Sequence, residues 1–568
     1  MTKRGYIFLI IIIGLVVFAN ALFNGFVWDD EEQILNNVLV HSFSNFFSFF
    51  SGSTFNTGGS GTLGGLYYKP LMTAAFSLIY TFFGTSAFFF HLFQILLHIT
   101  NAIFVFLIFR VIFQVKSSNS ISFILAVIFL IHPINVEAVS YISCLQDILF
   151  FFFGIIAFWL IVTKRIVSIR SHVLLFGLML SSLLSKETGI LFILVDTLYV
   201  FLFSRKQLKN ILITAFLSVS AYSFLRFVIA GIFFNKHGLT PISTLPFFER
   251  LLSVPKISIF YFKTFFYPND LAISQHWVVR SLSLSDFYLP LSLSIIILGL
   301  FGIMLYIFYS KKSDFFKTYI FFLIWFLAGM IMHIQIVFPL DMTVSERWFY
   351  FPMTGLLGLI SVIFLQIKLN KLTKKVLVVL LILLLLLLSF RTIIRNGDWK
   401  DGLTLYSHDV LFSTNTFDIE NNFGVELFRA GRFEEAGKHF EASTKIAPNW
   451  WTNWNNLGAV EERNGNLENA KKYYQKAIDN GRYYLAYQNL AKIYLIKDGP
   501  EKSKVFCEES LKSLPNNAEL WAILAISEYK LNDHDKAVKA AQNAYTLEQS
   551  QQNAYVYSRL MQNLPLEN

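Results

Sequence analysis

The chain has 568 residues, of which 55% are hydrophobic, 17% aromatic and only 15% charged, and its mean hydropathy is +0.53. This composition excludes an ordinary soluble globular domain and indicates a membrane protein. The net charge of +10 does not indicate a nucleic-acid partner, because in a protein with many spans the distribution of Lys and Arg matters more than their sum.

Apolar runs long enough to cross a bilayer recur from residue 6 to about residue 392 and then stop. The first run follows the basic start MTKRGY and lacks a small-residue cleavage site, which indicates a retained signal-anchor. The runs predict eleven spans, at 6–23, 88–113, 119–135, 146–163, 171–185, 188–204, 209–234, 288–309, 317–337, 348–367 and 376–392. Two other apolar segments, 67–84 and 247–268, are predicted to lie along the outer membrane surface.

Lys and Arg concentrate in alternate loops, at 3–4, 110–116, 164–170, 205–209, 311–317 and 368–375, where only Asp314 opposes them. Cytoplasmic loops carry such an excess of positive charge, so the N-terminus is expected in the cytoplasm and the C-terminal region outside it. Four polar segments then face outward: WDDEE at 28–32, HPINVEAVSYISCLQD at 132–147, SKETG at 185–189 and DMTVSERWFYFP at 341–352.

The first outer loop carries four consecutive carboxylates, Asp29, Asp30, Glu31 and Glu32. Ionised groups beside hydrocarbon are unfavourable by several kcal/mol unless they reach water or partners. A solvated loop that sets topology is one interpretation, but acidic residues contribute little to orientation. The sequence therefore favours a catalytic base or a metal-binding pair, Asp29 and Asp30, in a cleft at the membrane surface.

The C-terminal region is a repeat. Residues 421–430 read NNFGVELFRA and residues 455–464 read NNLGAVEERN, which places Gly424 and Gly458 34 positions apart. This is the period of the tetratricopeptide repeat (TPR), whose stacked helical pairs form a solenoid with a concave surface that commonly binds peptides or proteins. The predicted architecture is all-α: a polytopic membrane bundle at 1–395, a linker at 396–420 and about four repeats at 421–568.

Five segments occur in one order before the repeats: FVWDDEEQILNN, YYKPL, HPINVEAVSYIS, SKETG and ERWFYFP. In this order, with this topology and with appended repeats, the chain resembles the transmembrane-and-TPR-containing O-mannosyltransferases of the GT-C glycosyltransferase superfamily. The chain departs from the family in two places, since CLQD replaces a Gly-Arg-Ala-Asp pattern but keeps its acid as Asp147, and Trp348 stands where Tyr is common.

The resemblance implies transfer of a sugar, mannose in this family, from a polyprenyl-phosphate carrier to a hydroxyl acceptor such as protein Ser or Thr outside the cytoplasm. Asp29 is then expected to be the general base, and Asp30 to position the acceptor or a divalent cation. Arg347, Lys186 and Lys69 are expected at the carrier phosphate, because Arg grips phosphate oxygens through two parallel hydrogen bonds.

Arg226 is also expected to reach the headgroup or carrier phosphate. Its depth in the predicted span differs from that of Asp196 by roughly 13 Å at about 1.5 Å per residue, so the two should not pair. Sugar or acceptor contacts are assigned to His132, Glu137, Asp147 and Glu346. For His132 the alternative is a His-Pro helix start, and Glu187 and Glu346 are expected to pair with Lys186 and Arg347.

The expected partners are a lipid-linked sugar, membrane lipid and a polypeptide bound by the repeats. The expected location is a prokaryotic cell membrane, with the endoplasmic reticulum membrane as the alternative. A non-catalytic, membrane-anchored scaffold for protein export or envelope glycan assembly is the rival function, although eleven spans exceed what anchoring requires.

Overall fold

The computed structural model describes residues 2–54, 67–113, 118–233, 240–367, 370–413, 415–481 and 483–566. Within these ranges the regular structure is helical, and the one β-bridge joins Gln275 to Val344. The chain divides into two compact units: the first comprises most of the residues up to 414, and the second comprises residues 415–568 with the short segments 36–38 and 55–65. The all-helical prediction is confirmed.

The first unit contains seventeen α-helices among the described residues. They are α1 Lys3–Val17, α2 Pro70–Phe83, α3 Ala87–Ile112, α4 Ser118–Ile131, α5 Val136–Ser140, α6 Leu145–Val162, α7 Ile169–Ser185, α8 Ile190–Phe203, α9 Leu208–Ser223, α10 Pro241–Thr244, α11 Phe247–Leu251, α12 Val254–Phe266, α13 Leu289–Ser310, α14 Phe316–His333, α15 Tyr350–Phe364, α16 Lys371–Asp398 and α17 Gly402–Asp409. Short 3₁₀ turns that contain the polar motifs lead directly into four of these helices: Pro133–Asn135 into α5, Ile142–Cys144 into α6, Glu187–Gly189 into α8 and Glu346–Phe349 into α15.

Among the described residues, seven helices are long and apolar enough to cross a membrane, or eight if the bent pair Ser118–Ile131 and Pro133–Ser140 is one span. The predicted count of eleven is therefore not confirmed. The three other predicted spans fall on α1, α7 and α8, which have 15, 17 and 14 residues. Helices α2 and α12 have only 14 and 13 residues, too few for a comfortable crossing at about 1.5 Å per residue. Lys116 and Lys368, two of the predicted cytoplasmic residues, lie outside the described residues.

The core of this unit lies directly beneath the acidic loop. Ile34, Met72, Phe90 and Leu145 are buried together, and they join the loop to α2, α3 and α6. A second buried cluster joins α6, α7, α8 and α9 and includes Tyr68 at the start of α2. The outer motifs are thus attached to packed helices, which fixes where their polar side chains lie.

The predicted linker at 396–420 differs from the structure over most of its length. Arg395 and Asp409 form an ion pair at 2.7 Å in which neither side chain is exposed. Asp409 also accepts a hydrogen bond from the backbone N–H of Ile273 at 2.7 Å, and the Ser413 hydroxyl donates to the Ser274 carbonyl at 2.7 Å. The segment through Ser413 therefore packs within the membrane unit, because it supplies partners to buried charges and buried backbone groups.

The second unit consists mainly of four consecutive helical pairs and a last helix in its described part. The helices are α18 Phe417–Arg429, α19 Phe433–Ile446, α20 Trp451–Arg463, α21 Leu467–Asn480, α22 Tyr484–Ile493, α23 Pro500–Ser513, α24 Ala518–Lys530, α25 His534–Leu547 and α26 Gln551–Met561. A Cβ on Gly424 would lie 2.6 Å from the Phe440 ring, and one on Gly458 would lie 2.7 Å from the Tyr474 ring. Glycine thus lets the two helices of the first and second pairs approach closely, which explains the small residue at this position of the repeat.

Candidate active site at the acidic loop

The two aspartates of the acidic loop have different environments. Asp30 is fully buried, and its Oδ1 accepts hydrogen bonds from the Ser143 backbone N–H at 2.7 Å and hydroxyl at 2.6 Å. Its Oδ2 accepts from the Val27 backbone N–H at 3.0 Å. Burial raises the pKa of Asp30 to about 7, although these hydrogen bonds oppose the rise. Asp30 therefore ties the loop to the turn that begins α6.

Asp29 is half-buried and is held by Tyr141. Its backbone N–H donates to the Tyr141 hydroxyl at 3.2 Å, and the same hydroxyl is close enough to the Asp29 carboxyl to lower its pKa. Burial raises the pKa of Asp29, while the Tyr141 hydrogen bond and the nearby charges of Arg347 and Lys69 oppose the rise. Asp29 is thus a partly accessible carboxylate that faces cations, which suits a general base.

Arg347 is anchored by Glu137. The fully buried Glu137 carboxylate accepts from the Arg347 guanidinium and from its backbone N–H, the latter at 2.9 Å. The Ser345 hydroxyl also donates to Glu137, at 2.8 and 2.9 Å from its two oxygens. Since Glu137 is committed to these donors, its contacts position Arg347; sugar contact remains only a prediction for this residue.

Lys186 and Asp147 form a second buried pair, with Nζ and Oδ1 2.6 Å apart. Lys69, which precedes α2, is close enough to interact electrostatically with Lys186, Asp147, Glu187 and Arg347. Burial lowers the pKa of Lys69 to about 8. In the part of the chain that the structure describes, its ammonium lies 4.4 Å from the centre of the Tyr67 ring and forms no ion pair. Lys69 is therefore the cation of this group that is best placed to receive an anion.

Arg226 is buried within the helical segment Phe224–Ile229, which follows α9. Its guanidinium donates to the Tyr222 hydroxyl at 2.7 Å and to the Ile232 carbonyl at 3.3 Å, and it lies 4.0 Å from the Glu187 carboxylate. Contact of Arg226 with a lipid headgroup or the carrier phosphate stays a prediction. Asp196, the other ionisable residue considered for this region, accepts no hydrogen bond from any described residue.

The predicted pairs of Lys186 with Glu187 and of Arg347 with Glu346 are wrong. The cations bind Asp147 and Glu137 instead. Residues adjacent in a helical turn point in different directions, so neighbours in sequence do not pair.

Two of the predicted sugar-contacting residues are committed to structural contacts. Glu346 is buried and accepts from the Ala272 backbone N–H at 2.5 Å. His132 is buried, its Nε2 lies 2.9 Å from the Phe265 carbonyl, and its Nδ1 accepts from the Ile134 backbone N–H at 3.2 Å. These contacts match the alternative in which the His-Pro pair begins a helical turn.

Among the described residues, no group of three or more His, Cys, Asp or Glu side chains is arranged to hold a metal ion. The hydrogen bonds that Asp30 accepts from Ser143 and Val27 leave the acidic pair a poor chelate. A divalent cation at this pair would need further ligands from a substrate phosphate.

Sequence reasoning missed the residues that orient the charged groups. Tyr141, Ser143 and Ser345 all lie inside motifs that were singled out, yet their partners lie far away in the chain. A hydroxyl within a polar outer motif was the only available signal.

The structure thus brings Asp29, Lys69, Arg347, Lys186 and Asp147 close together. They come from the four polar motifs predicted to face outward and from the start of α2.

The helix bundle and its apolar spans define a multi-pass membrane protein, and residues 421–484 match the tetratricopeptide repeat family model. The predicted repeat is confirmed.

Several similar proteins are named protein O-mannosyl-transferases. One from Caenorhabditis elegans is 24% identical over 457 aligned residues, which cover 78% of this chain and 63% of that protein. TMTC3 from Homo sapiens is 24% identical over 629 aligned residues, which cover 93% of this chain and 66% of that protein. The chain therefore spans about two thirds of the length of these relatives, and the resemblance predicted from the motifs is confirmed.

Among solved structures, ArnT from Cupriavidus metallidurans bound to undecaprenyl phosphate aligns over 89% of this chain and 80% of that chain, with 14% identity and a TM-score of 0.38. This likeness is too distant to support an argument.

Proposed function

We propose that the membrane unit is a glycosyltransferase that moves a sugar from a polyprenyl-phosphate carrier to a hydroxyl acceptor. The observation that carries the proposal is the juxtaposition of Asp29 with Lys69 and Arg347. A base and two cations, supplied by separate outer motifs, are what a displacement of phosphate by a hydroxyl requires.

Asp29 accepts the proton of the acceptor hydroxyl as the acceptor oxygen forms a bond to the anomeric carbon. The bond between that carbon and the phosphate oxygen breaks, and its electron pair leaves with the carrier phosphate. Lys69 and Arg347 stabilise the charge that develops on the phosphate oxygens. Attack opposite to the leaving group inverts the anomeric configuration.

A lipid-linked donor fits the position of these residues. Arg347 and Lys186 lie in or beside the turns that begin α15 and α8, and Lys69 directly precedes α2. All three helices are apolar, and the ends of apolar helices lie near the lipid headgroups. The phosphate of an inserted carrier would lie at the same level, so the donor needs no separate soluble binding domain.

Mannose is the proposed sugar and protein Ser or Thr the proposed acceptor, because the similar proteins are named protein O-mannosyl-transferases. The TPR unit is proposed to bind the polypeptide acceptor. The charge distribution of the loops supports a cytoplasmic N-terminus and chemistry on the opposite side, which is the cell exterior or periplasm in a prokaryote and the endoplasmic reticulum lumen in a eukaryote.

The purified protein, reconstituted in lipid vesicles, should be given radiolabelled mannose either on a polyprenyl phosphate or on a nucleoside diphosphate, together with a library of Ser/Thr peptides. We expect label in the peptide only with the lipid donor. Asp29→Asn should slow this transfer by about 10² to 10⁴, and Glu31→Gln, which removes one charge from the same loop, should retain it.

Transfer from the nucleotide sugar alone would contradict the proposed donor. Transfer to a glycan or lipid in place of peptide would contradict the proposed acceptor while leaving the reaction class intact. Unchanged transfer by monodisperse Asp29→Asn protein would contradict the proposed base.

A further inference from the structure

Three aromatic rings form a column beside Asp29. The Trp28 and Tyr141 rings are stacked, with centroids 6.0 Å apart and planes 10° apart. Tyr141 also stacks on Trp399, with centroids 5.4 Å apart and planes 25° apart. The column therefore contains the ring whose hydroxyl accepts from the Asp29 backbone N–H.

The backbone before Asp29 is in an unusual conformation. Trp28 has a φ of +52°, a left-handed value that bulky side chains seldom adopt. Stacking on Tyr141 offsets part of this cost, because aromatic pairs contribute beyond the area that they bury. The turn that aims Asp29 thus depends on the column.

Trp399 is fully buried and follows directly after α16. The Arg395 guanidinium lies over the Trp399 ring, 5.6 Å from its centre, and is itself fixed by the ion pair with Asp409. The neighbouring Lys400 carbonyl accepts from the Gly25 backbone N–H at 2.8 Å. Trp399 is therefore held on a rigid base that also holds the acidic loop.

Asn396 strengthens the same junction. Its side chain donates to the Val17 carbonyl at 3.0 Å and accepts from the Ser140 hydroxyl at 3.0 Å. Its backbone carbonyl accepts from the Asn24 side chain at 3.0 Å. The end of α16 thus joins α1, the acidic loop and the turn that carries Tyr141.

We propose that Trp399 is a positioning residue for Asp29, acting through the ring of Tyr141. It fixes the ring, the ring's hydroxyl accepts the hydrogen bond from the Asp29 backbone N–H, and the Asp29 carboxylate is thereby held near Tyr141, Lys69 and Arg347. This inference rests on the proposed function, since it concerns how the proposed base is oriented.

The test compares four single variants, and the double variant Tyr141→Phe with Trp399→Leu, in the vesicle transfer assay. Tyr141→Phe removes the hydroxyl and keeps the ring, Trp399→Leu removes the ring, and Trp399→Phe restores a smaller ring. Trp325→Leu is the matched control, because Trp325 is equally buried but packs on Phe158, Phe192 and Phe351.

We expect Tyr141→Phe and Trp399→Leu to lower kcat by about 10-fold to 100-fold, the range for a hydrogen bond to a charged group, with little change in KM for the donor. The double variant should lose little more than either single variant, because both act on one contact. Trp399→Phe should recover most of the rate, and Trp325→Leu should reduce the yield of folded protein without changing kcat selectively.

The pH dependence of kcat provides a readout that general destabilisation would not change. The charged groups that face Asp29, besides the Tyr141 hydroxyl, are Arg347, Lys69, Glu32 and Asp30. The Tyr141 hydrogen bond stabilises the carboxylate form, so its loss should move the acid limb of the profile to higher pH. The shift should be the same in Tyr141→Phe and Trp399→Leu.

An acid limb that shifts in Tyr141→Phe but not in Trp399→Leu would overturn the role of Trp399. Should Trp399→Leu fail to fold, Trp399→Met decides, since it also removes the ring but fills more of the space: an acid limb shifted toward that of Tyr141→Phe supports the proposal, and a wild-type profile opposes it. Full activity of Asp29→Asn would instead overturn the proposed function, so the two failures are distinguishable.

Discussion

Ending the chain after Gly397 should destabilise the membrane unit, whereas ending it after Asn415 should not. The shorter chain lacks Asp409, whose oxygens lie 2.7 and 3.2 Å from Arg395. Breaking one side of a buried ion pair costs about 3–5 kcal/mol. The backbone N–H of Ile273 also loses its acceptor, which adds about 1–3 kcal/mol.

The combined loss of about 4–8 kcal/mol is comparable with the whole stability of many domains, about 5–15 kcal/mol. Thermal stability in detergent, followed by size-exclusion chromatography of fluorescently tagged protein, measures the difference directly. Asp409→Asn in the full chain isolates the charge, and Asp401→Asn, which alters only the cap of α17, is the matched control. Equal melting temperatures of the two shortened chains would refute the reasoning.

Four further predictions concern the chemistry and the topology. Asp29→Asn should reduce the rate by about 10² to 10⁴, the contribution of a general base, with little change in donor binding, whereas Glu31→Gln should have little effect. Donor affinity should fall as the pH rises through about 8, because Lys69 is charged below its pKa and neutral above it, and Lys69→Arg should remove this dependence in a titration of donor binding. Treatment with EDTA should leave the transfer rate unchanged, since the hydrogen-bonded acidic pair is a poor chelate. Membrane-impermeant thiol labelling from the outer side should modify Leu411→Cys and spare Lys374→Cys, both of which are exposed positions; the opposite pattern would place the acidic loop in the cytoplasm.

The sequence predicts the helices of the membrane unit well, because hydrocarbon thickness demands long apolar runs. It predicts the count of spans less well, since α1, α7 and α8 have only 15, 17 and 14 residues. The TPR period predicts the second unit for a different reason. Close approach of paired helices requires a small residue at Gly424 and again at Gly458, and this repeats at a fixed spacing.

The residues of the candidate site could be proposed from the sequence, but the hydrogen bonds and ion pairs that hold them could not. The motifs identify Asp29, Lys69 and Arg347, while their partners depend on tertiary packing. The sequence does not indicate that Ser143 donates two hydrogen bonds to Asp30, which leaves Asp29 as the more accessible of the two aspartates. The ion pairs predicted between adjacent residues are wrong, because the cations bind acids from other motifs. Residues 396–413 were assigned to a linker because they are polar, although Asp409 among them is buried in an ion pair with Arg395.

The acidic loop can reach its final conformation only after Asn396 has been synthesised, because Asn396 accepts the hydrogen bond from Asn24. Asn24 and Asn396 are 372 residues apart, so the ribosome releases the loop long before its support exists. At about 5–20 residues per second, the interval is roughly 20–75 s. Through that interval neither Trp399 nor the Lys400 carbonyl is present to hold the turn at Trp28. The nascent membrane unit should therefore acquire catalytic competence only when its last helix has been inserted.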